Sequence, residues 1–572
     1  MTNHCLPFPS RRPVSAAVWA LLGTLLLCPL ATHAQALAQP GAGDVQRSVQ
    51  PPQTPAPRQD ATPAVKVSPA QPDEASDKVA LRIPVRVLRI NGATVVSEPV
   101  LQALLSDVPG RSFTLPELQH VLRRVGDYYR SLGYPVARAV LPAQDIRDGV
   151  VTVLVLEGRL GAVSFDNQSL ISESSLARLF GDAFVGTVVS QPELERRLLL
   201  LGDTPGASRA GAVLQPGAHT GETDVRVQVD GADRLISQID FDNHGNRYTG
   251  YWRVGAQATV NSPAGVGDQI QLRGLTTNES LSYVRLGYRL PVHTAAWTAG
   301  VAWSQVNYKL AREFAYLDAK GWARTATIDT SYTLVRTPDH SLSTALTWDH
   351  KTFEDRIEVL DPASVTRKSS DVWSLALNGF GNRDARNHAF SFIWSHGQLN
   401  LPTMAQKAAD AAGPRTQGSF DKLVFAGNAT MPLDKGWSVY ANAYWQHAFN
   451  NLDASEKFSL GGASGVRAYP QGEASGDQGQ LGSVELRYTP PLSTLQWAGF
   501  LDAGHVRLDH EAYNSVGPQS RSLYALGGSL LWAPRQDLGL KLMLATRVGT
   551  EPVQSEPDNS RTRLWLQGLW RF

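Results

Sequence analysis

Cysteine is almost absent from this chain of 572 residues, which contains only Cys5 and Cys28. Both lie in an N-terminal segment that we predict to be removed. The mature chain is then expected to have no disulfide, no thiolate metal site and no cysteine nucleophile. A His-Glu-x-x-His pattern is also missing, and the 13 histidines (for example His396 and His447) are scattered, as expected of solvated loop or lumen positions. The sequence gives no indication of a bound metal or cofactor.

The chain has almost no excess of positive or negative charge, and long apolar runs are also scarce. The net charge of +1 gives no electrostatic reason to expect nucleic acid as a partner. After the N-terminus no apolar run is long enough for a membrane helix, so hydropathy alone is typical of a soluble protein. That interpretation fails if the chain crosses the membrane as strands in which apolar and polar residues alternate, because the strands of a membrane barrel turn half of their residues to the lumen.

The N-terminus has the features of a secretory signal peptide. Arg11 and Arg12 precede an apolar stretch at residues 16–30, and small residues around position 34 offer cleavage sites. The stretch is shorter than the roughly 20 residues that span a bilayer as a helix. A lipoprotein site at Cys28 lacks the small residue before the cysteine, and a twin-arginine signal is a poor match. We therefore predict a signal peptide at residues 1–34.

Two further regions precede the long C-terminal part. Residues 35–80 are rich in Pro, Ala, Gln and Ser, which predicts an extended linker. A short plug helix at residues 44–50 is the alternative. Residues 81–157 and 158–231 then show the same order, β-α-α-β-β, which indicates two copies of one module. A capping-box pattern at Thr114 and Glu117 opens the long helix of the first copy.

Residues 232–572 show a different pattern, in which apolar residues alternate with polar or small ones over about 10 residues at a time. We count about 16 such segments, joined by connections that are alternately short and long. The longer connections are predicted near residues 308–323, 352–370, 398–419 and 449–479. This pattern predicts an antiparallel 16-stranded transmembrane β-barrel, with the long loops outside the cell if the N-terminal modules are periplasmic.

Aromatic residues support a membrane barrel because most lie near segment ends, where girdles form at the lipid interface. A large soluble all-β domain is the alternative. The aromatic residues concerned are Tyr251, Trp252, Trp297, Trp303, Tyr308, Trp322, Trp437, Tyr440, Tyr444, Trp445, Trp532, Trp565 and Trp570.

Two separate motifs resemble those of the two-partner secretion transporters, a family of outer-membrane barrels with POTRA domains. Residues 460–470, Leu-Gly-Gly-Ala-Ser-Gly-Val-Arg-Ala-Tyr-Pro, resemble the family's long sixth loop, although Ala468 stands where glycine is usual. Residues 499–504, Gly-Phe-Leu-Asp-Ala-Gly, resemble the companion motif on the barrel wall. The motif residues are Gly461, Gly462, Val466, Arg467, Ala468, Tyr469, Phe500, Asp502 and Gly504.

The resemblance implies that the loop folds into the lumen, where Arg467 meets Asp502, and that the two modules are POTRA domains. A partly desolvated arginine needs a carboxylate, which its planar guanidinium can bind through two hydrogen bonds. From residue types alone, an ordinary surface loop with a solvated arginine is the alternative. The chain's end resembles the signal read by the barrel-assembly machinery, with Trp570 and Phe572 facing lipid.

The implied function is transport of a large, unfolded adhesin or haemolysin from the periplasm to the cell surface. In the second module, the strand at residues 209–214 is the predicted edge to which a client strand would add. An enzyme is not expected, because residues 462–465 lack the spacing of a nucleophile elbow. A barrel-insertion factor of the same superfamily and a passive porin are the alternatives.

Overall fold

The computed structural model describes residues 39–49, 63–67, 82–181, 185–513 and 517–572. The predicted signal peptide and most of the predicted linker lie outside these residues. Within the described part, no helix is both long and apolar enough to cross a membrane. Two short linker elements are described: helix α1 (Ala42–Val49) and strand β1 (Val65–Val67).

The first module has the predicted order of elements, with one additional two-stranded sheet. It comprises β2 (Ile83–Val85), β3 (Val87–Asn91), α2 (Glu98–Leu104), β4 (Arg111–Phe113), α3 (Leu115–Ser131), β5 (Arg138–Val140) and β6 (Val150–Leu156). Strands β3, β6 and β5 form one sheet, in which β3 and β6 are parallel, and β2 pairs with β4. Thr114 and Glu117 form the predicted capping box, so helix α3 begins where its sequence pattern indicates.

A buried carboxylate fixes the loop between β3 and α2. Glu157 accepts hydrogen bonds from the backbone N–H groups of Thr94 and Val95 at 2.7 and 2.8 Å, and from the hydroxyl of Tyr129 at 2.8 Å. Burial opposes the ionisation of Glu157. The hydrogen bonds outweigh that effect and hold the pKa of this carboxyl below its ordinary value.

The second module is built from β7 (Arg159–Asn167), α4 (Glu173–Phe180), α5 (Gln191–Gly202), β8 (Ala207–Pro216) and β9 (Glu222–Gly231). Its sheet has the order β1-β8-β9-β7, so the linker strand β1 lies against β8 in parallel. The expectation that residues 209–214 form a free edge is therefore wrong. Val65-Lys66-Val67 is too short to be recognised as a strand in a proline-rich sequence, yet it pairs with Ala212, Val213 and Leu214.

The rest of the chain forms a closed barrel of 16 antiparallel strands, which confirms the predicted fold class. The strands are β10 (Leu235–Asp242), β11 (Arg253–Asn261), β12 (Gln269–Thr277), β13 (Leu281–Pro291), β14 (Trp297–Lys309), β15 (Ala319–Arg336), β16 (His340–Ile357), β17 (Ser364–Arg383), β18 (Arg386–Asn400), β19 (Gly418–Pro432), β20 (Trp437–Ala448), β23 (Gln478–Tyr488), β24 (Leu495–Arg507), β25 (Ser520–Arg535), β26 (Leu538–Arg547) and β27 (Thr562–Arg571). The barrel closes where β27 pairs with β10.

The connection between β20 and β23, residues 449–477, is the sixth loop, and it contains the short strands β21 (Phe458–Ser459) and β22 (Ser475–Gly476). The fifth loop contains helix α6 (Met404–Ala411). One predicted long loop is wrong, because β16 runs to Ile357 and β17 begins at Ser364. Alternation continues through this region, and the two strands pair along their whole length, so only a short connection is left.

The second module is attached to the end of the barrel that carries the short turns. The backbone N–H of Ser172 donates to Gly265 at 2.8 Å, in the turn between β11 and β12. Arg336, at the end of β15, donates to Asp203 at 2.8 Å and its side chain is almost fully buried. The long loops, including the sixth, therefore belong to the opposite end.

Alternation along the strands separates the lumen from the lipid-facing surface. Leu501 is 65 % exposed, whereas its neighbours Phe500 and Asp502 are buried inside. Seven of the predicted girdle aromatics are exposed on the outside: Trp252, Trp297, Trp303, Trp437, Trp445, Trp532 and Trp570. Tyr308 and Trp565 instead point into the lumen, and Tyr444 stacks on Phe458 of the sixth loop. Nearness to a strand end was a poor guide here, because the position in the alternation decides which way a side chain points.

Candidate functional site

Helix α1 lies inside the barrel. The backbone N–H of Ala42 donates to Asp355 of β16 at 2.8 Å, and Val45 is buried among the lumen-facing residues of β13 to β16. The side chain of Gln46 donates to Thr325 of β15. The plug helix that the sequence left as an alternative is thus present, at residues 42–49.

The sixth loop also folds into the lumen, and α1 is bonded directly to it. Arg47 donates to the carbonyl oxygens of Ala454 and Lys457 at 2.8 and 3.0 Å, and to the hydroxyl of Ser475 at 3.0 Å. Gly43 lies so close to the loop that a Cβ there would come within 2.8 Å of the backbone nitrogen of Ser455. Removal of the helix from the lumen therefore breaks contacts with the loop as well as with the wall.

The tip of the sixth loop is attached to the wall by the residues that the sequence motifs single out. Arg467 binds Asp502 of β24 through two side-chain hydrogen bonds, Nε to Oδ2 at 2.9 Å and Nη2 to Oδ1 at 2.6 Å. Its backbone N–H donates to Oδ2 as well, at 3.0 Å. Both side chains are almost completely buried. Such a charged pair is stable only because each group supplies the partners that water would otherwise supply.

Four further residues complete the surroundings of Arg467. Of these, only Phe500 was named as a motif residue, and Trp565 was expected in the lipid girdle instead. Glu485 of β23 accepts from Nη1 at 2.6 Å, and Ser483 accepts from Nη2 at 2.8 Å. The guanidinium carbon lies 3.3 Å from the ring centroid of Phe500. Trp565 of β27 donates to the carbonyl oxygen of Arg467 at 2.7 Å. Glu485 and Ser483 share a strand face, which alternation indicates, but nothing in the sequence indicates that this face meets Arg467.

The other motif residues shape the loop around this pair. Val466, Ala468 and Tyr469 are fully buried in one apolar cluster with Leu460 and Phe500. Gly462 has a φ of 129°, which favours glycine, whereas Ala468 is not among the residues of positive φ, so the usual glycine is not required there. A Cβ at Gly504 would lie 2.5 Å from Leu460, and one at Gly461 would lie 2.5 Å from Glu473. These two glycines allow close packing.

A second set of buried ion pairs attaches the first part of the sixth loop to other strands. Glu456 accepts from Lys351 of β16 at 2.5 Å and from Lys422 of β19 at 2.8 Å. Asp453 pairs with Lys368 of β17 at 2.5 Å. All five side chains are at most 15 % exposed. No sequence motif indicated these lysines, because their role depends on which wall strands the loop crosses.

The last part of the sixth loop is bonded to the connection between β26 and β27, residues 548–561. Glu473, which is fully buried, forms an ion pair with Arg521 of β25 and accepts from the backbone N–H groups of Gln554 and Ser555 at 3.0 and 2.9 Å. The sixth loop is therefore held to the wall at its first part, its tip and its last part, and crosses the lumen between them.

A 16-stranded barrel with a lumen-filling loop and two α/β modules at one end is the architecture of the outer-membrane barrels of the POTRA-bearing superfamily. The chain belongs to the haemolysin secretion/activation protein family ShlB/FhaC/HecB, whose model matches residues 221–529. A ShlB-type POTRA domain model matches residues 83–158, which is the first module. The chain is thus an outer-membrane transporter of the two-partner secretion type, with its POTRA domains in the periplasm.

Several relatives align over most of their length. The heme/hemopexin transporter protein HuxB of Haemophilus influenzae is 28 % identical over 568 residues, which cover 95 % of this chain and 97 % of HuxB. The outer membrane transporter CdiB of Dickeya dadantii is 24 % identical over 464 residues, 78 % of this chain and 79 % of that protein.

Solved structures share the fold. CdiB from Escherichia coli superimposes with a TM-score of 0.68 at 18 % identity, covering 88 % of this chain and 93 % of CdiB. BamA from Haemophilus ducreyi, without its POTRA domains 1–3, gives a TM-score of 0.50 at 15 % identity, covering 86 % of this chain and all of that one.

Proposed function

We propose that this transporter receives a large exoprotein of the adhesin or haemolysin type in the periplasm and passes it, unfolded, through the barrel lumen. One observation carries the proposal: the lumen is filled by α1 and the sixth loop, and both are held by hydrogen bonds and ion pairs that can be broken. A conduit closed in this way can open without rebuilding its wall.

The client is expected to reach the POTRA domains first, as an extended strand. In the second module, a client strand that adds to β8 has to take the place of β1. In the first module, β5 pairs only with β6 among the described residues, so its other edge is a second candidate. Relatives named as heme/hemopexin transporters make a cargo connected with haem one client to test.

The energy for transport is expected to come from folding of the client outside the cell. The sequence contains no Walker-type glycine loop with lysine, and nucleotide is not expected in the periplasm. Trp570 and Phe572, both exposed at the chain's end, are proposed as the signal read by the barrel-assembly machinery during biogenesis. Neither a cofactor nor a catalytic residue takes part in this mechanism.

Barrel insertion is the second candidate function, and the structural likeness to BamA favours it. Deleting the gene and measuring both activities separates the two. The transport proposal expects the exoprotein to disappear from the cell surface and medium while other outer-membrane barrels stay at normal levels. Persistent release together with falling barrel levels would overturn it in favour of insertion.

A further inference from the structure

An apolar groove of about 420 Å³ runs along the outside of the barrel across strands β13 to β17. The groove is deep at Ala299 and Thr330, because these two residues are smaller than most of the other residues that line it. Leu290 and Ile328 line it on the lipid-facing side. Trp348 and Trp373 bound it on β16 and β17. The wall of the barrel therefore has a channel in which an alkyl chain can lie.

A histidine and an aspartate stand directly beyond these two tryptophans, towards the long loops. His350 is two residues beyond Trp348 on β16, and Asp371 is two residues beyond Trp373 on β17, so all four side chains point outwards. His350 and Asp371 are cross-strand partners, and Nδ1 of the imidazole lies 2.9 Å from a carboxylate oxygen. Their side chains are 42 % and 50 % exposed.

A tryptophan followed two residues later by a histidine also occurs on β18 and β20. Trp394 and His396 stand two residues apart on β18, and His396 meets Asp421 of β19 at 3.1 Å. On β20, His447 stacks on Trp445, with ring centroids 5.9 Å apart. The expectation that such histidines lie in loops or in the lumen is therefore wrong for His396 and His447. We call the row His350, Asp371, His396, Asp421 and His447 the histidine belt.

The height of the histidine belt in the membrane follows from two physical preferences. Tryptophan collects where acyl chains meet headgroups. A charged group on the lipid face is costly near the bilayer centre and nearly free of cost at the interface. Trp348 and Trp373 thus mark the acyl boundary of the outer leaflet, and the belt lies among the headgroups.

We propose that His350, Asp371 and the groove below them form a binding site for one glycolipid of the outer leaflet. An acyl chain lies in the groove, and the two indoles flank the sugar. Asp371 accepts hydrogen bonds from sugar hydroxyls, while His350 faces a hydroxyl or phosphate oxygen. A carboxylate in this position favours a sugar headgroup over one that offers phosphate alone, since two anions would repel each other.

The test measures lipid bound to the full-length, purified protein by native mass spectrometry. The probes are a phosphorylated disaccharide glycolipid of the lipid A class and, for comparison, phosphatidic acid, whose headgroup is phosphate alone. Ala299→Trp fills the groove and Asp371→Leu removes the acceptor; neither threatens folding, because both place apolar groups on a lipid-facing surface. The matched controls are Ala503→Trp and His505→Ala, which change exposed outward positions on β24, outside the groove.

The proposal expects the wild-type protein to retain one glycolipid in preference to phosphatidic acid. Ala299→Trp and Asp371→Leu should each weaken that retention by about tenfold. The two control variants should bind like the wild type. Equal retention of both lipids, or equal losses in groove and control variants, would overturn the proposal. A loss with Ala299→Trp but not with Asp371→Leu would overturn the assignment of the sugar headgroup.

Discussion

The indole of Trp565 donates its N–H to the backbone carbonyl of Arg467, 2.7 Å away, so the last strand of the barrel holds the tip of the sixth loop. Arg467 is simultaneously bound to Asp502 on β24 and Glu485 on β23. Three strands near the chain's end thus converge on one loop residue.

Replacement of Trp565 by phenylalanine keeps an aromatic ring but leaves the Arg467 carbonyl without its donor. We expect the loop tip to be destabilised by about 1–3 kcal/mol, the usual cost of a buried unsatisfied acceptor. Hydrogen exchange of the amides around residues 466–469 should therefore accelerate. Trp532→Phe is the control, since Trp532 is exposed on the outside. Unchanged exchange in Trp565→Phe would show that this hydrogen bond does not hold the loop.

Arg467→Lys tests whether the geometry of the guanidinium matters beyond its charge. Lysine keeps the positive charge but cannot bind Asp502 through two parallel hydrogen bonds while also reaching Glu485. We expect secretion to fall strongly in Arg467→Lys and to be abolished in Arg467→Ala, while both barrels still insert and migrate as folded proteins on unheated gels. Wild-type secretion by Arg467→Lys would mean that charge alone suffices.

Glu456 and Lys351 are expected to stabilise the closed sixth loop independently of Arg467. Glu456→Gln leaves Lys351 and Lys422 buried without the carboxylate that they share, and we expect more frequent open events in planar-bilayer recordings. In a double-mutant cycle with Lys351→Met, the free energies of channel opening should show a coupling of about 0.5–3 kcal/mol between the two residues.

The exposed ion pair between Lys309, at the end of β14, and Asp318, in the third loop, supplies the control cycle, for which we expect almost no coupling. If Glu456→Gln opens the channel no more often than Lys309→Met, the second set of ion pairs is not an anchor.

We predict that the stabilising contribution of Glu157 in the first POTRA domain depends on pH. Because the folded pKa of this carboxyl lies below its ordinary value of 4.5, its stabilising contribution is present above that value. It is lost as the pH falls through the lower, folded value. Hydrogen-exchange protection of the Thr94 and Val95 amides, corrected for intrinsic rates, should therefore decline in this acid range. Glu157→Gln should abolish the decline, and an unchanged pH profile in that variant would contradict the assignment.

The fold could be predicted largely from the sequence because its signals are local. Alternation over strands such as β14 and the capping box at Thr114 each lie within a few residues. The partners of Arg467 other than Asp502 could not be predicted, because Glu485 and Trp565 reach it only once the barrel has closed, and Phe500 was known only as a motif residue. The pairing of β1 with β8 is equally non-local. The Trp-x-His repeats, by contrast, were visible in the sequence, and alternation would have placed each pair on one face.

The central claim is that the barrel is a closed conduit for one exoprotein, opened by release of a sixth loop that Arg467 and Asp502 hold. It is tested most directly by measuring surface release of that exoprotein from cells that lack the chromosomal copy and carry either the wild type, Arg467→Ala or Asp502→Ala. We predict release with the wild type only, at equal amounts of inserted barrel. Release at wild-type levels with both variants would contradict the claim.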